Sequence, residues 1–440
     1  AAGFPSAAID AYAIAGTGQP VLLAGASVTT APDGSWQSAF TAPANVSNLW
    51  LTCEFRSPDL LEGVGADPWA GTDHEVDYLV VAPEAFLPAL QPLLQARSSQ
   101  GLRTGVLKAE DLYRLEMGGR FSPFALRAFL VRSRAWRGPP SKVLLVGSGH
   151  YDYLGIFGSP SWQPNPIPPA VLQIPYEKSA SGWLIVGTDN ALADLDGDGA
   201  PDVAIGRLPA RSAAETERMV AKALADDASR ATRTAAAAVS DLNLATWQFS
   251  ANAAAWLARL PAGLSRQAIS EHDAPAGANA RQYIGDTWRT ALDDGRWLSA
   301  YFGHANAWFL GEMPYYLAFD AVASLDNRPG VLVGTTCAMN DPFKPQAAPT
   351  WAGCVGAELL RGTDGGMVAV FAPVSPSFEA PGSLLADAIA DAVSTRRPCL
   401  GDAVLEALRA LQEDGGTPWI LQTMLLLGDP ALDLRPAEVV

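Results

Sequence analysis

His304 and Cys337 are the two side chains whose type and setting could support nucleophilic chemistry. His304 lies in Tyr301-Phe302-Gly303-His304-Ala305-Asn306, and Cys337 in Val333-Gly334-Thr335-Thr336-Cys337-Ala338. Each follows an apolar run of strand character. A thiolate is a strong nucleophile, and an imidazole beside it lowers the thiol pKa or gives a proton to a leaving amine. Gly303, just before the histidine, lets a substrate backbone come close. On pattern alone a plainer reading stands beside this one: Cys337 as a small buried hydrophobe and His304 as a strand-end histidine. The other histidines, His74, His150 and His272, have no comparable setting and read as structural.

For the pair to meet, the chain must bring two strand ends together. Residues 304 and 337 are 33 apart, room for one crossover helix between neighbouring parallel strands, and that helix is expected near Tyr316 to Leu325. Both side chains would then emerge at the carboxyl ends of adjacent strands, where open α/β sheets place ligands. From Asp77 onward strand-like and helix-like segments alternate. Tyr78-Leu79-Val80-Val81, Lys142 to Gly147, Asp202 to Gly206, Ala235 to Val239, Trp297 to Phe302, Val331 to Thr335 and Met367 to Phe371 read as strands. Helical spacing marks Phe86 to Gln100, Pro123 to Arg134, Ser212 to Asp227, Phe249 to Leu260, Ser383 to Val393 and Leu400 to Gln412. This alternation predicts an α/β fold of mainly parallel sheets flanked by helices. Before it, short apolar runs separated by turns such as Pro32-Asp33-Gly34-Ser35 predict a small β-rich module. The expected divisions are 1–74 for that module, 75–165 for a first α/β subdomain and 166–437 for a second, which would carry the chemistry.

Composition narrows the function classes. The chain has 440 residues, is 49% hydrophobic and 17% charged, a globular profile able to bury large cores. Its formal net charge of -16 disfavours nucleic acid and anionic membranes as partners. Apolar runs have the length of buried strands, so no membrane insertion is expected. The four cysteines, Cys53, Cys337, Cys354 and Cys399, include no Cys-x-x-Cys pair, which excludes a zinc ribbon or a disulfide-dense scaffold. The start, Ala1-Ala2-Gly3-Phe4, fits a chain that begins after a cleaved segment, or a processed fragment, and equally an arbitrary boundary. The sequence contains no Walker A motif, no His-Glu-x-x-His and no Gly-x-Ser-x-Gly elbow.

Asp194-Leu195-Asp196-Gly197-Asp198-Gly199 has hard oxygen ligands on alternate residues with glycine for the turn, and Asp202 follows. That pattern fits a structural calcium site built from Asp194, Asp196, Asp198 and Asp202. Ile205 stands where an EF-hand needs its bidentate Glu, so a plain Asp/Gly-rich surface turn is the alternative. No other cofactor is implied.

Several segments together resemble the gingipain family of cysteine peptidases, which are caspase-like in fold. They are KVLLVGSGHYDY at 142–153, GTDNALADLDGDGAPDVAIGR at 187–207, YFGHANAW at 301–308, VGTTCAMNDPF at 333–343 and LGDPAL at 427–432. The resemblance spans about residues 75 to 436. It implies a cysteine endopeptidase, secreted or at the cell surface, acting on protein or peptide substrates. By it Cys337 is the nucleophile, His304 the general acid/base, and the backbone N–H groups of Cys337 and Ala305 the oxyanion hole. Glu177 is implied as the acid that orients the histidine. Asp189 is implied as a pocket residue, and an Asp there would favour Arg or Lys; capping a turn is its alternative role. The chain departs from the family's pattern at Ser148, at Ala305 and over Ala338-Met339-Asn340. Those departures feed a second reading, a catalytically inactive peptidase-like surface or assembly protein.

Overall fold

The computed structural model describes residues 2–4, 7–14, 21–23, 27–41, 48–52, 66–153, 166–176, 182–242, 247–312, 316–318, 322, 325–343, 353–395, 399–415 and 418–437. The chain divides into two compact units, residues 1–66 and 67–440. The first contains two three-stranded sheets paired antiparallel, one of them Asp10–Ile14 between Val21–Leu22 and Asn48–Thr52.

The second unit is built on one ten-stranded sheet. Its strands are β1 (Tyr78–Ala82), β2 (Thr104–Lys108), β3 (Lys142–Val146), β4 (Ala204–Leu208), β5 (Ala235–Ser240), β6 (Ser265–Ile269), β7 (Leu298–Phe302), β8 (Gly330–Thr335), β9 (Met367–Pro373) and β10 (Met424–Leu427). They lie in the order β6-β5-β7-β8-β9-β10-β4-β3-β1-β2. Every neighbouring pair is parallel except β9 with β10. The mainly parallel pairing expected from the sequence is present in one continuous sheet, and β4, which the division at 165/166 would assign to the second subdomain, pairs with β3 of the first. The chain lays down β1 to β4, crosses after Leu208 to build β5 to β9, and returns with β10.

Strand alternation explains why helices cover both faces. Ala237, Val239, Tyr301 and Leu332 pack on one side with Ile284, Trp288 and Ala291 of α2 (Ala280–Asp293). Ala236, Ala238, Ala300, Phe302, Val331 and Val333 point the other way. There they meet Phe249, Trp256 and Leu257 of α1 (Phe249–Arg259) and Leu385, Ala386 and Ile389 of α3 (Glu379–Ser394). The alanine run of β5 leaves room for Trp256, which is fully buried and donates from Nε1 to Ala386 O at 3.0 Å. A buried indole thus has its partner, as a buried donor requires.

The sequence predicted a helix near Tyr316 to Leu325. At the start of that stretch Leu317–Ala318 pairs antiparallel with Phe309–Leu310, while Val322 further along is helical. Residues 319–321 and 323–324 lie outside the described residues. The sheet places the site through its connections. From β5 the chain runs outward to β6, then returns to β7 on the other side of β5. That reversal is a topological switch point, where a crevice opens beyond the strand ends.

Candidate active site

Asp241, His304 and Cys337 all follow carboxyl ends of strands at this switch point. Register fixes their relation: Ser240 pairs with Phe302, and Phe302 with Thr335. His304 is two residues past Phe302 and Cys337 two past Thr335, so the two leave adjacent parallel strands at the same level. Neighbouring strands lie about 4.8 Å apart, which makes this the closest approach the topology allows. Both side chains are half-buried and both line one cavity of about 240 Å³. Cys337 Sγ lies 3.9 Å from Ser377 O.

The histidine is held by its backbone. Asp241, 2% exposed, accepts from His304 N at 3.3 Å, from Leu242 N at 2.7 Å and from the Tyr316 hydroxyl at 2.5 Å. The Tyr301 hydroxyl donates to His304 O at 2.7 Å, and Gly311 N donates to the same oxygen at 2.8 Å. Burial, then the Asp241 charge, pushes both phenols above their usual range, so they remain donors at any working pH. The ring packs edge-on against Trp247 at 4.5 Å and Phe249 at 5.4 Å. Gly303 is required here: a Cβ on it would come within 2.4 Å of Asp241 Cβ and 2.6 Å of the Tyr301 hydroxyl.

The loop that carries Cys337 is tied to β9 and the residues just after it. Ala338 N donates to Ser375 O at 2.9 Å and Asn340 N to Pro373 O at 3.2 Å. The buried Asn340 amide donates to Val370 O and Leu425 O. Ala338 has φ +47°, the one described non-glycine residue in the left-handed region. The departure from glycine after the cysteine therefore falls where the backbone favours glycine, at about 1–2 kcal/mol of strain.

A model of peptidase family C25 matches residues 71–435. The chain belongs to that family. It is accordingly a cysteine peptidase, with the gingipain-type, caspase-like fold expected from its motifs. Among solved structures it is similar to the complex of the pro- and mature domains of RgpB from Porphyromonas gingivalis, at 17% identity and TM-score 0.63, covering 82% of this chain and 80% of that one. It is similar to the Arg-specific cysteine proteinase gingipain R (RgpB) at 18% identity and TM-score 0.63, covering 82% and 78%. A structure titled only as a protease matches at 16% identity and TM-score 0.60, covering 81% and 78%. At these identities the likeness concerns the fold. No curated protein sequence matches the chain.

In this C25 peptidase the other residues singled out by sequence are spread more widely. Ala305 bridges to Leu310, and the bonds of that bridge run from Gly311 N to His304 O and from Asn306 N to Phe309 O. The Ala305 N–H is left out of that ladder. Glu177 lies outside the described residues; Tyr176 before it lines the cavity. Asp189 corrects an expectation. It is fully buried, and its two oxygens accept from Arg207 Nη2 and Nε, each at 2.7 Å. Arg207 also donates to Gly147 O and Ile167 O and lies over the Phe343 ring. A bidentate pair sealed from water satisfies both charges, so Asp189 is structural and does not line the cavity. Asp194, Asp196 and Asp202 each bring a carboxylate oxygen within 4.8 Å of the others. Asp198 is not among them: it accepts from Ala200 N and the Gln412 amide, bonds that hold its carboxyl below the usual range.

Asp241, Trp247, Phe249, Phe378, Glu379 and Trp419 were not foreseen from sequence. One signal was available for Asp241, a carboxylate directly after an apolar strand. Nothing local marks the others, because the fold gathers them from segments far apart in the chain.

Proposed function

We propose that the chain is an endopeptidase in which Cys337 is the nucleophile and His304 the general acid/base. The observation that carries this is the shared strand-end level of the two residues within one cavity. The Cys337 thiol passes its proton to His304, the sulfur attacks the scissile carbonyl, and the tetrahedral oxyanion faces the backbone N–H groups of Cys337 and Ala305. His304 gives a proton to the leaving amine, so the C–N bond breaks and a thioester remains. His304 then takes a proton from water, which attacks the thioester and releases the carboxylic acid and the thiol. Glu177 is our candidate for orienting the imidazole. The negative net charge favours protein or peptide substrates over nucleic acid. No described helix is long and apolar enough to cross a membrane, and we assign the activity to the cell exterior or surface.

Selective labelling tests the assignment. A peptide carrying a thiol-reactive group should modify Cys337 first. Cys354 is fully buried and burial pushes its thiol up; burial, with Asp402 beside it, pushes Cys399 up to about 12. Both stay protonated and inaccessible at neutral pH. Peptide mass mapping that found Cys354 or Cys399 labelled ahead of Cys337 would contradict the assignment.

We further propose that Asp194, Asp196 and Asp202 hold a calcium ion, since three converging carboxylates are hard oxygen donors. Saturating chelator should then lower Tm by several degrees and added calcium restore it. An unchanged Tm under chelator would remove the ion from this account.

A further inference from the structure

Building on the assignment of Cys337 and His304 as the catalytic pair, we infer that the cavity beside them selects a bulky aromatic side chain next to the cut bond, and not Arg or Lys. The cavity, about 240 Å³, is smaller than the roughly 300–1,000 Å³ of drug-sized pockets, so it suits one side chain. Its walls are aromatic. Trp247 and Phe249 stack at 5.8 Å on the His304 side. Phe378 and Trp419 pack at 5.8 Å with their rings tilted by 60°, and Tyr176 adds a further wall. Phe378 is 61% exposed, the most exposed large apolar residue described, and a substrate ring would cover it. Aromatic pairs gain from edge and offset contacts that aliphatic chains lack.

Among the described residues, no carboxylate on the cavity has both oxygens free to hold a cation. Asp189 is sealed against Arg207. Glu379, the carboxylate on the cavity, accepts from Gln248 N at 2.8 Å and the Asn252 amide at 2.7 Å through one oxygen. It also sits in the first turn of α3, where the helix dipole offsets its charge. A guanidinium or ammonium entering here would lose its water without gaining the bidentate partner that compensates.

The test is a peptide library varied at both positions flanking the cut bond, run on the wild-type chain and on Phe378→Ala, with iodoacetamide alkylation of Cys337 in parallel. Phe, Tyr or Trp should exceed Arg and Lys in kcat/KM by at least about tenfold at one of those positions. Phe378→Ala should collapse the ratio between Phe-containing and Ala-containing substrates. Cleavage led by Arg or Lys, or a ratio that Phe378→Ala does not move, overturns the inference while leaving the catalytic pair standing. A chain that alkylates nowhere at Cys337 and cleaves no peptide sinks both.

Discussion

Replacing Cys337 with alanine is expected to abolish peptide cleavage, lowering kcat by about 10⁴-fold or more, with the fold intact. Cys337 is half-buried, its sulfur contacts a carbonyl at 3.9 Å, and alanine has similar bulk, so Tm should move little. His304→Ala should cost nearly as much, because the two groups act as a unit. For the same reason the double variant should be scarcely worse than either single one. Cys354→Ala and Cys399→Ala provide the contrast. Both thiols are buried away from the cavity, so activity should persist, with a modest loss of stability from the small voids left behind. Burst and steady-state kinetics on one peptide substrate read all of these. A Cys337→Ala chain that cleaves as fast as wild type would end the catalytic assignment and favour an assembly role.

The parts of this molecule legible in the sequence are those in which chemistry and local pattern coincide. β7 and β8 are apolar runs that end at Phe302 and Thr335, and two residues past each end stand the histidine and the cysteine. Strand pattern placed both at strand ends, and the family resemblance singled them out as a pair. Motifs further from the site were recognisable but their roles were not. Asp189 and Arg207 belong to one recognised segment, yet only the fold shows that they neutralise each other in the interior. Asp429, in the late Gly-Asp-Pro segment, likewise accepts from the Tyr78 hydroxyl and Arg97, which ties β1 and its helix to the end of the chain. A carboxylate's partner 18 or more than 300 residues away leaves no local trace. The cavity walls were illegible for the same reason, since Tyr176, Trp247, Phe378 and Trp419 come from four separate segments. The antiparallel β10 also escaped notice, because a short apolar run carries no information about direction.

Gly303→Ala is expected to lower kcat by about 10²-fold or more while leaving KM within a few fold. The added methyl would meet Asp241 Cβ at 2.4 Å and the Tyr301 hydroxyl at 2.6 Å. Neither can swing aside. Asp241 is fixed by three donors, and Tyr301 is fully buried with its hydroxyl on His304 O. The strain must then fall on the segment that carries the imidazole, which is held through His304 N and O alone at its backbone. A displacement near 1 Å of a general acid suffices for a loss of this size. The aromatic walls inferred to bind the substrate lie mostly on other segments, so KM should hold. The effect is separable from unfolding, because in a folded chain Cys337, two residues past β8, should alkylate with iodoacetamide while the buried Cys354 and Cys399 stay unlabelled. Asp241→Asn keeps the volume and one acceptor oxygen, able to serve Leu242 N and the Tyr316 hydroxyl, but sets an NH2 group in place of the oxygen that accepts from His304 N. It should therefore reproduce part of the kcat defect with a smaller change in Tm than Asp241→Ala, which strands all three donors. A folded Gly303→Ala chain with wild-type kcat would show that the backbone cradle does not position His304.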